Sequence, residues 1–262
     1  MHILELDDVR LHYRDDGDPN GAPVVFANSL GTDMRLWDPI LPMLPDGLRY
    51  IRFDKRGHGL STCPDGPYPM GALIRDAESL LDHLGVTDCV FVGLSIGGMI
   101  AQGLAVKRLD LVRAMVLSNT AAKIGNPDMW DERIEAVRTG GIESLADAVM
   151  ERWFSKAFRQ TPELELWRNM LVRQPAKGYI GCSAAISGTD FYTTTASLRL
   201  PTLGISGAED GSTPPELVRE TVDLIPGADF HLIRHAGHLP CVEQPAEYAQ
   251  VLTDFLRKVG HV

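Results

Sequence analysis

Residues Cys89-Val90-Phe91-Val92 form a short, wholly apolar run that passes into Gly93-Leu94-Ser95-Ile96-Gly97-Gly98 and then into a helical pattern ending near Val106. An apolar run of that length suits a strand buried on both faces, as in a parallel sheet with helices on each side. The glycines leave room for a turn too sharp for side chains, and a strand-turn-helix of this kind lifts a serine hydroxyl above the sheet at a helix N-terminus. The uncharged stretch between Asp88 and Lys107 approaches the length of a membrane-spanning helix, but Gly93, Gly97, Gly98 and Gly103 punctuate it, so a membrane span is not expected.

The rest of the chain repeats the alternation. Ile3 to Leu6 and Val9 to Tyr13 read as an antiparallel hairpin around Asp7-Asp8. Pro23 to Ala27, Tyr50 to Phe53 and Ala114 to Leu117 are further buried strands, with helical patterns over Leu36 to Leu44 and Ala72 to Leu84. From about Asp128 to Gln174 strands give way to helical spacing, as in Ile142, Leu145, Ala146, Val149 and Trp153. The sheet resumes at Leu200 to Ile205, followed by a helix over Pro215 to Leu224, a strand over Phe230 to Ile233 and a helix over Pro245 to Val259. An α/β series interrupted by helices predicts one mostly parallel sheet flanked by helices, made of residues 1–120 and 198–262, with a helical cap inserted at 121–197. A length of 262 residues fits that single unit.

A serine on such a turn needs a base, and the base needs an orienting acid. On this kind of sheet the partners follow the serine in the order acid, then histidine. Glu209 and Asp210 both lie in the loop after the strand ending near Ser206, and His238 lies in Gly237-His238-Leu239-Pro240 after the last strand. His231 falls within a strand-like run, His235 precedes a turn, and His58, in Arg56-Gly57-His58-Gly59, is expected to stabilise a tight loop. Oxyanion donors are expected from the backbone N–H of Ile96 and, in the loop Asn28-Ser29-Leu30-Gly31, of Leu30.

With 35 acidic and 25 basic residues the formal charge is −10, which argues against nucleic acid and anionic membranes as partners. The same field repels an anionic metabolite, so an anionic substrate would need a local cation. Cys63, Cys89, Cys182 and Cys241 show neither a paired motif nor metal-like spacing, and Glu5, Asp7, Asp8 and Arg10 stand where a signal peptide would be apolar. Free thiols and a cytoplasmic location are expected. Oligomeric state is not legible.

Asn28-Ser29-Leu30-Gly31-Thr32, Asp54-x-Arg56-Gly57-His58-Gly59-x-Ser61, the Ser95 turn and Gly237-His238 together resemble the α/β-hydrolase superfamily over essentially the whole chain. Within it, the Asn-Ser-Leu-Gly-Thr loop resembles the 3-oxoadipate enol-lactonases, as do Ser118-Asn119-Thr120-Ala121 and Trp130-x-x-Arg133-Ile134. Ser187-Gly188-Thr189-Asp190-Phe191 departs from that pattern by lacking an Arg-Asp pair. The resemblance implies an α/β-hydrolase fold, a triad of Ser95, His238 and Asp210 rather than Glu209, and a small anionic lactone as substrate. No metal or organic cofactor is implied. Trp130, Arg133, Ile134 and Val137 share one mostly apolar helical face; Arg133 could simply pack its stem there, but the resemblance favours Trp130 and Arg133 as substrate-binding residues, with Arg138 and Arg152 as the alternatives for the cation. Other hydrolases on the same scaffold (a carboxylesterase, a cofactor-free haloperoxidase-like enzyme, a C–C bond hydrolase) and a non-catalytic ligand receptor stay open.

Overall fold

In a computed structural model of residues 1–262, the apolar runs are strands of one sheet: β1 (His2–Glu5), β2 (Arg10–Gly17), β3 (Pro23–Ala27), β4 (Arg49–Phe53), β5 (Cys89–Leu94), β6 (Val112–Ser118), β7 (Thr202–Gly207) and β8 (Asp229–Ile233). Their order across the sheet is β1-β2-β4-β3-β5-β6-β7-β8. From β4 to β8 every neighbouring pair is parallel, while β2 runs antiparallel to both β1 and β4. All six residues of β5 are buried, as a strand covered on both faces must be. This is the α/β-hydrolase fold.

Helices α1 (Met70–His83) and α2 (Ile96–Lys107) lie between strands, and the stretch from Ser118 to Thr202 contains no strand. It carries α3 (Pro127–Gly140), α4 (Ala146–Trp153), α5 (Leu164–Val172), α6 (Ala176–Ser187) and α7 (Tyr192–Ala196). Asn126 starts α3 by accepting a bond from the Met129 N–H at 2.9 Å, and Gly141 ends it. After β7 come α8 (Pro215–Asp223), α9 (Pro240–Glu243) and α10 (Pro245–Lys258). The uncharged stretch 89–106 divides into β5, the turn and α2, and no helix is long and apolar enough to cross a membrane.

Two expectations about elements change. Leu36 to Leu44 is not an α-helix but two short 3₁₀ turns, Met34–Trp37 and Leu41–Met43. Pro39 and Pro42 remove the donors a continuous helix would need, although the apolar spacing survives and buries Leu36, Trp37 and Ile40. The second arm of the hairpin runs on past Tyr13 to Gly17, because its acidic end is satisfied across the sheet: Asp15 pairs with Arg49 at 2.7 Å and Asp16 with Arg52 at 2.8 Å.

Candidate active site

Ser95 sits between β5 and α2 at φ 59°, ψ −120°, a left-handed backbone that a non-glycine residue adopts only when its surroundings impose it. The imposition is steric. A Cβ on Gly97 would lie 2.1 Å from the Ala27 carbonyl oxygen, and one on Gly93 would lie 2.3 Å from that of Gly97. The Ser95 N–H donates to Ser118 O at 3.0 Å, and Thr120 Oγ1 donates to Ser95 O at 2.6 Å. The hydroxyl thus stands at the C-terminal edge of the parallel strands, where open α/β sheets bind ligands.

Asp210 follows β7 and His238 follows β8, both almost fully buried. His238 Nδ1 lies 2.9 Å from Asp210 Oδ2 and 3.1 Å from Oδ1. Asp210 also accepts bonds from the Ser212 and Thr213 N–H groups, from Thr213 Oγ1 at 2.7 Å and from Asn119 Nδ2 at 2.8 Å. Burial alone would push its carboxyl up; the neighbouring His238 and the donors outweigh it and hold the group below the ordinary carboxylate range. With Nδ1 donating to Asp210, His238 Nε2 is left as an acceptor. Its neighbour in hydrogen-bonding range is Ser29 Oγ at 3.4 Å; Ser95 Oγ lines the same pocket but makes no bond to it. Such contacts are often loose until substrate binds.

The rival residues lie elsewhere. Glu209 is exposed, its carboxylate accepting from the Lys156 N–H at 3.1 Å. His231 pairs with Glu247 on the surface, and His235 is exposed in a turn. His58 is buried in the loop network: its Nε2 accepts from the Gly31 N–H at 3.0 Å, bracing the segment that carries Leu30. Lys55, also buried, donates to Ser29 O and Thr32 O, and burial pulls its ammonium down to about 8. Neither the Leu30 N–H nor the Ile96 N–H is used in the loop and cap hydrogen bonds. Leu30 and Ser95 both line the pocket.

That pocket, of about 80 Å³, is walled by Trp130, Arg133, Arg152, Trp153 and Tyr179 from the helices between β6 and β7. The Trp130 indole N–H donates to Ile124 O at 2.7 Å, fixing the ring, and the Arg133 guanidinium lies 5.4 Å from the Trp130 ring centre and 5.8 Å from that of Tyr179. Arg138 is outside, exposed and paired with Glu135. Sequence reasoning did not assign Asn119, Thr213 or Ser29 to the site. Ser29 adjoins the predicted donor Leu30, and Asn119 follows a strand end directly; those positions were the available signals.

The chain matches the alpha/beta hydrolase family over residues 24–251 and belongs to it. It is 31% identical to 3-oxoadipate enol-lactonase 2 of Acinetobacter baylyi, covering 97% of this chain and 96% of the relative. The solved enol-lactonase of Burkholderia xenovorans LB400 superimposes with a TM-score of 0.94 at 35% identity, covering 98% of this chain and all of that one. A putative non-heme bromoperoxidase of Mycobacterium tuberculosis is similar at 29% identity, over 96% of this chain and 99% of the relative.

Proposed function

We propose that the chain hydrolyses 3-oxoadipate enol-lactone to 3-oxoadipate, a step of bacterial aromatic catabolism, through an acyl-enzyme on Ser95. The observation that carries this reading is an unpaired cation, Arg133, in the wall of the pocket that Ser95 and His238 line. Similarity to enol-lactonases supports it.

In this mechanism Ser95 Oγ bonds to the lactone carbonyl carbon while His238 Nε2 takes its proton. The Leu30 and Ile96 N–H groups stabilise the oxyanion. Collapse breaks the ring C–O bond, and the enol oxygen receives the proton from His238. Water, deprotonated by His238, then attacks the acyl carbon and releases Ser95. Asp210 stays ionised throughout and stabilises the imidazolium. Arg133 would bind the carboxylate that the lactone already carries.

Hydrolysis of freshly generated enol-lactone, compared with a panel of neutral p-nitrophenyl esters, tests the assignment. The expected result is a much higher kcat/KM for the lactone. A charge-assisted bond contributes about 1.5–3 kcal/mol, so Arg133→Ala should lower lactone kcat/KM by about tenfold to a hundredfold, far more than it lowers ester kcat/KM. Equal losses on both would reject Arg133 as the carboxylate ligand. Faster turnover of neutral esters would favour a general esterase.

A further inference from the structure

Among the arginines of the helical insertion, Arg138 pairs with Glu135, Arg159 with Glu151, and Arg168 with Glu143 and Asp147. Arg133, Arg152 and the exposed Arg173 have no acid partner, and of these Arg133 and Arg152 bury their Nε without a hydrogen bond. Both line the pocket above Ser95, and no Asp or Glu lines it with them. Burial, and after it the positive charge of Arg133, push the Arg152 guanidinium below its ordinary value. Two like charges are therefore held beside one partly desolvated cavity, in a chain whose formal charge is −10. The packing of α4 does not demand this, because its link to the loop after Asp210 is made by the Arg152 backbone carbonyl, which accepts from the Gly211 N–H at 3.0 Å.

We propose that Arg133 and Arg152 form a two-cation site matched to a dicarboxylate, so that the pocket binds the dianionic product of ester cleavage more tightly than a monoanionic substrate. Arg152 is the specificity-determining residue for the second charge. The inference rests on the hydrolytic reading of Ser95 for the origin of that charge. A lactone bearing one carboxylate takes up water: the water oxygen ends on the acyl carbon, the ring C–O bond breaks, and one proton goes to the leaving enol oxygen. The new acid ionises at neutral pH and gives the other proton to solvent. One negative charge leaves the arginine pair half neutralised; two complete it. The consequence is inhibition by product and by other short dicarboxylates.

The test separates binding from turnover. Ser95→Ala protein is titrated calorimetrically with adipate, monomethyl adipate and dimethyl adipate, and the titrations are repeated with Arg152→Gln or Arg152→Lys added. The expected order of affinity is adipate, then monomethyl adipate, then the diester, with Arg152→Gln weakening adipate by tenfold or more and erasing its advantage over the monoester. Arg152→Lys, which keeps the charge, should keep the preference. Thermal unfolding of each variant checks that the fold is retained, and the lysine variant decides the matter should the glutamine variant fail to fold. Adipate binding no better than its monoester, or an unchanged preference in Arg152→Gln, would overturn the proposal. A wild-type protein that leaves enol-lactone intact, while its Ser95→Ala form binds adipate through Arg152, would support the two-cation site and reject the lactonase reading alone.

Discussion

Replacing Ser95 by alanine removes one hydroxyl and leaves the turn that holds it, so the fold should survive while activity falls by about a thousandfold or more. Asp210→Asn should also be severely impaired, whereas Glu209→Gln should retain most activity, because the Glu209 carboxylate faces Lys156 rather than His238. Steady-state kinetics of the purified variants checks all three, and a larger loss from Glu209→Gln than from Asp210→Asn would exchange their roles. His58 gives a prediction about stability. Burial, and then the charge of Lys55, hold its imidazole well below the ordinary 6.5. The unfolded chain therefore binds a proton that the folded one refuses, so this contribution is intact above pH about 6.5 and is lost as pH falls below it. Each unit of fall costs up to about 1.4 kcal/mol per such group. His58→Gln, which can still accept from Gly31, should flatten the fall in urea-unfolding free energy between pH 6.5 and 5.5; an unchanged slope would contradict a neutral buried His58. At this scale the Ser95 turn and the Asp210–His238 pair that the structure brings to the same pocket were legible because steric and chain-order rules tie them to short motifs. Arg152 was legible only as a spare cation, since its lack of an acid partner depends on residues distant in sequence.

Elements decide how rigidly those residues are held. Glu243, at the end of α9, accepts from the Gly237 N–H at 2.6 Å and from the Ser155 N–H at 2.9 Å, tying the His238 loop to the segment after α4. Glu243→Ala would strand two buried donors and should destabilise the protein by about 2–4 kcal/mol in urea unfolding, with a reduced kcat. Glu243→Gln, which keeps one acceptor, should fall between. Stability equal to wild type in Glu243→Ala would remove the tie. The strands were readable as apolar runs, and the helical stretch between β6 and β7 as a long interval without them. The 3₁₀ turns near Trp37 were misread because apolar spacing is shared by a helix and by a proline-broken segment packed on a core. The acidic half of β2 was unread because Asp15 and Asp16 look like loop residues until Arg49 and Arg52 face them.

For the whole molecule, a formal charge of −10 surrounds a pocket that carries unpaired arginines. In about 0.01 M salt the Debye length of roughly 30 Å lets an approaching anion feel the entire chain; near 0.15 M, at roughly 8 Å, only nearby groups count. Raising salt across that range should increase kcat/KM for an anionic lactone and leave a neutral ester unchanged, and a decrease for the lactone would mean that the arginines dominate even at long range. Geometry limits the traffic further. The Gly211 N–H donates to Arg152 O and the His238 N–H to Trp153 O at 2.7 Å, so the end of α4 is stitched into the loops that carry Asp210 and His238. Lifting α4 would break both bonds to the loops that hold Asp210 and His238. No backbone bond of that kind reaches α3, which presents Trp130 and Arg133. The doorway is then one-sided: α4 is a jamb tied to the loops behind it, and α3 stands opposite with no such tie.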